Sequence, residues 1–320
     1  MLYVTTESEE KTYTAQATLT QTIAEDGGLF IPMALPRYAD RELVELMKLP
    51  YWERVSRVLG RFFPVSLDGW FLSRILPEPE IQEVGHKSAI ASLWEPVGGS
   101  YQNTVEILCK QMDCERTEPW SWPSVAVGVA VLFGLYGTLC QRGWIHLGQN
   151  LNLAMGAGEF TLPIASWYAG RLGLPLGSVV CVCNENSKLW DLFHRGEVRL
   201  DDTVIHTELP LFDVSVPQNL RRLIAHTLGK EALVRYDLAQ SRRRSFFLSE
   251  HETAHLRQGF YISVAGAGRA QTLAAGLYET EHCVLSPYTA LVYGGLMDYR
   301  SLGGEGAPTL ILGEESPKRL

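Results

Sequence analysis

The pattern of apolar and polar positions is clearest in the second half of the chain. Thr161–Leu172 opens with Thr-Leu-Pro, continues with apolar residues at helical spacing and ends at Gly173, which predicts a helix. The unbroken apolar run Ser178–Cys183 that follows is typical of a strand buried in a parallel sheet. Helical spacing resumes over Ser187–Arg195. This order of elements predicts an α/β fold with a doubly wound, mostly parallel sheet.

Shorter elements are predicted on both sides of this region. Helical or apolar segments fall at Thr18–Ile23, Arg41–Met47, Trp70–Leu76, Thr104–Met112, Glu250–Gln258 and Ala270–Leu277, and extended ones at Leu29–Pro32 and Pro308–Leu312. The run Pro77–Glu80 contains two prolines and interrupts any helix, so we expect a boundary near residues 77–82.

One uncharged segment, Val125–Cys140, is apolar enough to raise the question of a membrane span. It is shorter than the ~20 residues that a bilayer span needs. We therefore predict a helix that is buried on most sides in the core of the α/β fold.

The composition is that of a soluble globular protein. Of 320 residues, 46% are hydrophobic and 20% are charged, enough for one large core or two ordinary ones. The formal net charge is -8, and the longest basic run is Arg242–Arg244. This balance argues against nucleic acid and against a membrane surface as partners. The predicted partner is another protein or a small molecule, and self-association is left open.

The six cysteines fall in no metal-binding spacing, and reduced thiols are expected. Cys181 and Cys183 alternate on the predicted strand and are interpreted as buried, inert thiols. The N-terminus becomes acidic within a few residues and lacks the basic start and apolar run of a secretory signal. These features predict a cytoplasmic protein.

Four segments, in the same order, resemble the threonine synthase family. They are Ala24–Pro32 (AEDGGLFIP), Tyr168–Pro175 (YAGRLGLP) with Asn184–Asn186 (NEN) after the strand, Phe212–Leu220 (FDVSVPQNL) and Ser286–Ala290 (SPYTA). The resemblance covers most of the chain. It implies the fold of pyridoxal-phosphate (PLP) enzymes of the tryptophan synthase β type. For an intact member it also implies a lyase that acts on a phosphohomoserine-like amino acid.

The lysine on which that chemistry depends is missing from this sequence. In the family the lysine holds PLP as a Schiff base and then shuttles protons. The family's Glu-Leu-Phe-His-Gly-Pro-Thr-x-Ala-Phe-Lys-Asp falls without a gap on Ser92–Asn103, which places Gln102 at the lysine. An amide is neither nucleophilic nor basic, so the resemblance implies no catalytic lysine at Gln102.

A second departure lies at the loop that holds the cofactor phosphate in the family. There, a Gly-Asn-x-Gly loop offers backbone N–H groups and a helix N-terminus to the phosphate. The corresponding residues here are Gly158, Glu159, Phe160 and Thr161. A carboxylate charge 4 Å from a phosphate charge costs roughly 4 kcal/mol at an effective dielectric constant of about 20. We expect this degenerate loop to bind phosphate poorly unless Glu159 points away.

Two further family features are absent. Only about twenty residues remain where the family inserts most of a small domain, too few for a domain of even ~50 residues. The terminal Thr-x-His-Pro of the family falls at about Gly313–Pro317, which contains no threonine. The predicted organisation is an N-terminal threonine-synthase-like segment at 1–80, a remnant of the small cofactor domain at 81–124, and a large α/β domain at 125–320.

Two lysines lie nearest in sequence to Gln102, and either could in principle replace the lost one. Lys87 precedes the apparent strand by several residues, and Lys110 lies two helical turns beyond Gln102. Both are interpreted as solvated surface lysines.

The segment His251–His255 reads His-Glu-x-x-His, which on a helix would place two imidazoles on one face for zinc. Ser249 and Glu252 also form an ordinary capping box here, and no third histidine follows at metal-ligand spacing. His251 and His255 are therefore only weak metal candidates.

Together these features favour a threonine synthase-like pseudoenzyme that serves as a binding or regulatory module for a protein or an amino-acid-like ligand, with no cofactor expected. The alternative is a working PLP-dependent lyase, whose site is completed by a relocated lysine or by a second chain. A zinc hydrolase built on His251, Glu252 and His255 is the third hypothesis. The losses at Gln102 and at Glu159 favour the first, because each affects a different function of the cofactor site.

Overall fold

Helices and strands alternate along most of the chain. The computed structural model describes residues 1–93, 101–114, 118–304, 306–314 and 318–319, with the backbone alone at residues 101, 102, 318 and 319. The strands are β1 (Leu2–Thr5), β2 (Tyr13–Thr14), β3 (Phe30–Pro32), β4 (Ile81–Glu83), β5 (Ser88–Ser92), β6 (Leu151–Gly156), β7 (Leu176–Cys183), β8 (Glu197–Arg199), β9 (Ser245–Phe247), β10 (Phe260–Val264), β11 (Cys283–Val284), β12 (Thr309–Gly313) and β13 (Lys318–Arg319). The helices are α1 (Ala15–Thr20), α2 (Asp40–Lys48), α3 (Tyr51–Phe62), α4 (Gly69–Ile75), α5 (Tyr101–Gln111), α6 (Trp122–Gln141), α7 (Thr161–Arg171), α8 (Lys188–Arg195), α9 (Leu220–Ser241), α10 (Glu250–Leu256), α11 (Ala267–Glu281) and α12 (Pro287–Ser301), with a 3-10 turn at Pro210–Phe212.

Six strands form the main sheet, in the order β10-β7-β6-β12-β5-β4. β10 pairs with β7, and β12 pairs with both β5 and β6, all in parallel. β6 and β7 also run in the same direction, since Leu151 N donates to Pro175 O and Ala157 N donates to Val182 O. Only β4 is antiparallel, at one edge. The prediction of an α/β fold with a mostly parallel sheet is confirmed.

The strand β12 lies in the interior of this sheet and is apolar on both faces. All five of its residues, Thr-Leu-Ile-Leu-Gly, are buried. Ile311 lies beside Ile90 of β5 and Ala154 of β6. A parallel strand covered on both faces requires a continuous apolar run, which is why this strand was readable from the sequence.

Contacts divide the chain into two units that interleave in sequence. Unit 1 comprises residues 1–79, 93–151 and 164–176, and unit 2 comprises residues 80–92, 152–163 and 177–320. The main sheet belongs to unit 2, apart from the first residues of β6 and β7. The helices α1 to α6 and a small antiparallel sheet, in the order β2-β1-β3, belong to unit 1. The division into three consecutive segments, 1–80, 81–124 and 125–320, stays a prediction.

The long helix α6 of unit 1 is the one predicted within Val125–Cys140. Ser121 caps it by accepting a hydrogen bond from Ser124 N, and Pro123 stands in its first turn. The capped turn extends the helix to 20 residues, so the prediction that it is shorter than a bilayer span was wrong. In the described part of the chain it alone has the length and apolarity to cross a membrane, and 89% of its 18-residue apolar window is buried inside the fold.

A fully buried arginine of α3 joins α6 to the end of α2. The Arg54 guanidinium donates to the carbonyl oxygens of Leu49 and of Gly134 (3.0 Å), and to Thr138 Oγ1 (2.7 Å). This close approach requires glycine in α6, because a Cβ at Gly137 would lie 2.5 Å from Arg54 Nε. Arg54 shares these carbonyl oxygens with Gln141, which also donates to Leu49 O, and with the Thr138 hydroxyl, which also donates to Gly134 O.

Some helices differ from the sequence-based predictions or were not predicted. The sequence pattern does not predict α3, α9 or α12. In α9 the backbone at Gly229 is left-handed, with φ of 80°, so the helix consists of two runs that share no single apolar face. The N-terminal helix was misplaced, because Ile23 bridges to Leu29 and is drawn into the turn that follows α1.

Candidate functional site

Polar residues collect in unit 2 where its parallel strands end. β7 is followed by Asn184, β12 by Glu314, and β6 by a loop that contains Glu159. Because parallel strands share one carboxyl edge, the loops that follow them lie on the same side of the sheet. This edge is where open α/β sheets bind their ligands, so we take it as the candidate site.

The loop between β6 and α7 contains the residues predicted for the degenerate phosphate loop, Gly158, Glu159, Phe160 and Thr161. Gly158 and Phe160 have positive φ angles of 39° and 60°. A left-handed phenylalanine is uncommon and needs support from its surroundings. The Phe160 ring provides it, since it is fully buried and packs with its centroid 5.7 Å from that of Phe260.

Three backbone N–H groups of this loop are already hydrogen-bonded within unit 2. Gly156 N donates to Tyr288 Oη (3.1 Å), Ala157 N to Val182 O (2.8 Å), and Phe160 N to Ala157 O (2.8 Å). A phosphate-binding loop instead directs its N–H groups at the ligand. The internal bonds leave fewer of them for an anion.

Glu159 is half-buried, and within the described ranges its carboxylate makes no ion pair or hydrogen bond. Burial raises the pKa of the Glu159 carboxyl group, because desolvation disfavours its charged form. The backbone of the residue is fixed, since its carbonyl oxygen accepts a hydrogen bond from Asn219 Nδ2 at 3.2 Å. The same Asn219 amide group donates to Thr161 Oγ1 at 3.1 Å. An acidic side chain is thus held in a loop of defined conformation.

Asn219 connects this loop to the start of α9. Its Oδ1 accepts a hydrogen bond from Arg222 Nη1, and both side chains are fully buried. A buried arginine needs hydrogen-bond acceptors to offset its desolvation. Asn219 supplies one of them and holds the loop with its other end. Neither residue was singled out for this role from the sequence, because the contact joins segments about 60 residues apart.

Two aromatic side chains fill the space beside the end of β6. The rings of Phe212 and Tyr288 pack with centroids 4.9 Å apart, and both are buried. A Cβ at Gly156 would lie 2.7 Å from Tyr288 Oη and 2.9 Å from Phe212 Cε1, so only glycine fits there. Burial raises the pKa of Tyr288, which keeps its phenol neutral. The protein's own aromatic rings therefore occupy this part of the carboxyl edge.

A network of amide and carboxylate groups joins the end of β7 to the segment before α9. Asn184 Nδ2 donates to Asp213 Oδ1 (2.9 Å) and to Thr207 Oγ1 (3.1 Å). Thr207 donates to Asp213 from its backbone N (2.7 Å) and its hydroxyl (2.8 Å). The segment from Asp201 to Asn219, which we call the strap, is held against the sheet edge by these bonds.

Lys188, at the start of α8, donates hydrogen bonds to two residues of the same strap. Its Nζ lies 2.5 Å from Asp201 Oδ1, 2.8 Å from the Asp201 carbonyl oxygen and 2.6 Å from Ser215 Oγ. The hydrogen bond from Lys188 lowers the pKa of Asp201. An ammonium group has three N–H donors, so these contacts occupy Lys188 fully. It is a structural cation here and not an available nucleophile.

Lowering the pH is expected to loosen the strap through Asp213. Burial raises the pKa of Asp213, but hydrogen bonds from Thr207 and Asn184 outweigh it and hold the pKa below its usual range. A carboxyl group with a depressed folded-state pKa stabilises the fold above about pH 4 and loses that contribution as the pH falls through the folded-state pKa. Hydrogen exchange of strap amides, corrected for intrinsic pH dependence, should therefore accelerate in acid.

The matched variants for this experiment are Asp213→Asn and Asp202→Asn. Asp213→Asn should exchange faster already at neutral pH and show a weaker acid response. Asp202 is an exposed aspartate of the same strap, and it pairs with Arg243 at the surface. Its replacement should change neither the exchange rate at neutral pH nor the acceleration in acid. Equal exchange in the wild type and in Asp213→Asn at neutral pH would contradict the role given to this carboxylate.

The lysines nearest in sequence to the lost site are both exposed. Lys87 directly precedes β5, so it lies at the opposite end of that strand from the carboxyl edge, about 16 Å away at ~3.3 Å per residue. Lys110 is exposed near the end of α5 in unit 1. Gln102 falls in the first turn of α5, where the backbone alone is described, and its assignment to the family's lysine stays a prediction. Residues 94–100 and 315–317, which complete the two predicted motif alignments, lie outside the described residues.

The candidate zinc motif forms the helix α10, with the predicted capping box. Ser249 Oγ accepts from Glu252 N, and Glu252 Oε2 accepts from Ser249 N at 2.8 Å. These bonds lower the pKa of Glu252, and its other oxygen pairs with Arg235. The imidazoles of His251 and His255 lie side by side, with centroids 4.4 Å apart. The described ranges contain no group of three or more metal-ligating side chains, so this pair has no third ligand there.

The two cysteines of β7 are buried, as predicted. Burial raises the pKa of Cys183 to about 12 and that of Cys181 further above its ordinary value. Thiols in this state are poor nucleophiles and poor metal ligands. They contribute to the core of the sheet and not to the chemistry of its edge.

Comparison with solved structures places this fold among the threonine synthases. The PLP-bound threonine synthase of Brucella melitensis superposes with a TM-score of 0.84 over 98% of this chain and 88% of its own, at 15% identity. The yeast enzyme gives a TM-score of 0.83 over 98% and 87%, at 14% identity. At such identities the likeness concerns the fold.

Sequence comparison finds the same resemblance. The family model "Threonine synthase N terminus" matches residues 2–77. Threonine synthase-like 1 of Homo sapiens is 24% identical over 175 residues, which are 53% of this chain and 23% of that protein. Threonine synthase of Corynebacterium glutamicum is 27% identical over 150 residues, 44% of this chain and 31% of the enzyme. The matches thus span less than a third of these relatives. The resemblance to the threonine synthase family that was read from the sequence is confirmed.

Proposed function

We propose that this chain is a threonine synthase-like protein that does not form a Schiff base with PLP and acts as a binding or regulatory module. The observation that carries the proposal is the loop between β6 and α7. It presents a half-buried glutamate, Glu159, where the resemblance implies a loop that holds the cofactor phosphate. The carboxylate adds negative charge where the phosphate needs hydrogen-bond donors.

The loop fits a phosphate group poorly for two reasons. Its Gly156, Ala157 and Phe160 N–H groups are used in internal hydrogen bonds. A charged Glu159 would repel a phosphate by roughly 4 kcal/mol per charge pair at 4 Å and an effective dielectric constant of about 20. The raised pKa of Glu159 lessens this repulsion only by making the residue neutral, which still provides no positive charge.

The lysine chemistry is also not supplied by Lys188 or Lys87 of unit 2. Lys188 is fully occupied by Asp201 and Ser215, and Lys87 lies at the far end of β5. The sequence alignment places Gln102, an amide, where the family has its lysine. Loss of the nucleophile and loss of the phosphate loop act on separate functions of the cofactor site, and they therefore support the proposal independently.

The ligand or partner is proposed from the same features. A net charge of -8 disfavours nucleic acid, which leaves a protein partner, a second copy of the chain or an amino-acid-like ligand. The six cysteines, all within the described ranges, form no disulfide bond, which is typical of a reducing compartment and supports work in the cytoplasm. The retained fold equally suits the alternative, a working lyase.

The decisive experiment is a visible spectrum of the protein with added PLP, before and after borohydride, followed by intact mass. We expect the spectrum of free PLP, no band at about 410–420 nm from a lysine imine, and no stoichiometric reduced adduct. A single adduct that disappears in Lys87→Ala or Lys110→Ala would contradict the proposal and locate a new lysine. In parallel, we expect no release of threonine and phosphate from phosphohomoserine, and turnover would establish the lyase instead.

A further inference from the structure

A pocket of about 370 Å³ opens at the edge of the sheet opposite to the candidate site, where β5 and β12 begin. Its lining includes His86 and Lys87 from the turn before β5, and Tyr293, Met297 and Arg300 from α12. All of these residues belong to unit 2. The volume is within the range of about 300–1,000 Å³ that is common for small-molecule sites.

The turn that carries His86 and Lys87 is held in a defined conformation. Gly85 and Lys87 have positive φ angles of 58° and 50°, the second of which is unusual for lysine. Arg300 Nη1 donates to the His86 carbonyl oxygen (3.0 Å), and its Nη2 donates to the Lys87 carbonyl oxygen (3.3 Å). Thr309 N also donates to the Lys87 carbonyl oxygen, at 2.9 Å. The guanidinium thus fixes the backbone that displays the other two side chains.

The pocket concentrates basic side chains in a chain that is acidic overall. Lys87, Arg300 and His86 line one small volume, whereas the net charge of the chain is -8. The nearest carboxylate at this turn, Glu281, accepts a hydrogen bond from Gly85 N at 3.0 Å. Within the described ranges, Lys87 and His86 have no carboxylate partner. An anion bound in the pocket would be attracted by the positive charges of Lys87 and Arg300.

Two other residues of the wall have a different character. Met297 is apolar, and Tyr293 offers a ring and a phenol; burial raises the pKa of Tyr293, so its hydroxyl remains a donor. A site with a basic end and an apolar wall suits a molecule with a charged group on an apolar body. We infer that this pocket binds a small organic anion, a carboxylate or a phosphate monoester, with its charged group at Lys87 and Arg300 and its body against Met297 and Tyr293.

This inference concerns a site separate from the proposed loss of PLP chemistry, and its test is independent of PLP. Phenyl phosphate and benzoate are titrated into the full chain by calorimetry, with benzyl alcohol as the uncharged probe. We expect saturable binding of at least one anion, with a dissociation constant of about 1 mM or lower, and none of benzyl alcohol. Tighter binding of phenyl phosphate assigns a phosphate ligand, and tighter binding of benzoate assigns a carboxylate.

The variants locate the site. Lys87→Asn removes the charge but keeps a residue that tolerates a left-handed backbone, and it should weaken binding about tenfold. Lys87→Arg should retain binding, and Lys110→Asn, at an exposed lysine of unit 1, should not affect it. Glu159→Gln should also have no effect, which separates this pocket from the candidate site at the other edge. Equal binding in Lys87→Asn and wild type, or equal binding of benzyl alcohol, would overturn the inference.

Discussion

Replacing Trp122 by alanine is expected to lower the free energy of unfolding by about 4 kcal/mol, within the usual range for loss of a buried aromatic side chain. The indole is fully buried at the start of α6. Its ring lies 5.6 Å from that of Tyr3, 5.4 Å from that of Phe62 and 5.2 Å from that of Tyr168, measured between centroids. Its Nε1 donates to Tyr3 Oη at 3.0 Å. Truncation would remove all three ring contacts and leave a buried hydroxyl without this donor.

Urea unfolding followed by circular dichroism measures this effect as a fall in the transition midpoint. Trp70→Ala is the matched control, because the Trp70 side chain is 62% exposed and packs under Arg74 at the surface. Its replacement should change the free energy of unfolding by no more than about 0.5 kcal/mol. Similar midpoints for the two variants would show that the Trp122 cluster is not part of the core of unit 1.

Arg54→Met should destabilise the protein by about 3 kcal/mol, although the new side chain is apolar and of similar length. The substitution removes the donor to the carbonyl oxygens of Met47 (3.3 Å), Leu49 and Gly134. Arg54 is fully buried, so water cannot readily replace those hydrogen bonds. The cost therefore comes from the lost hydrogen bonds of the guanidinium and not from lost volume, although Gln141 still donates to Met47 and Leu49 and Thr138 still donates to Gly134.

Arg57→Met is the control for this prediction, since Arg57 lies one turn further along the same helix and is exposed. It should unfold at nearly the wild-type denaturant concentration. An Arg54→Lys variant tests the geometry, because one ammonium cannot reach all the acceptors of a planar guanidinium and should restore only part of the loss. Full stability in Arg54→Met would mean that α2 and α6 do not depend on this side chain.

The parts of the fold that were predicted from the sequence have strong local signals. The run Ser178–Cys183 became β7, and the segment beginning at Thr161 became α7 with its stop at Gly173. In each case the residues that define the element are neighbours in sequence, so pattern and turn chemistry suffice. The loop that contains Glu159 was located by the resemblance to the family's phosphate loop, since β6, the strand before it, was not predicted.

The parts that were not predicted depend on contacts between distant residues. Nothing near Lys188 in sequence indicates that its ammonium will meet Ser215, or that Asn219 will hold Glu159. β6 has the short sequence Leu-Asn-Leu-Ala-Met-Gly, whose asparagine weakens an apolar signal. That Asn152 is buried because its Oδ1 accepts a hydrogen bond from Ser178 N at 2.8 Å. Tertiary partners of this kind decide burial and are not readable from local patterns.

The position of β12 has a consequence for how the sheet can assemble. It is the last of the six strands along the chain, yet it lies between β5 and β6. Before β12 joins, the pair β4-β5 and the group β10-β7-β6 each have an open inner edge. A two-stranded pair is barely stable alone, and uncovered apolar edges invite pairing with other chains. A ribosome-bound or truncated chain that lacks residues 309–313 would therefore leave both of these edges open, whereas the finished chain closes them with one strand.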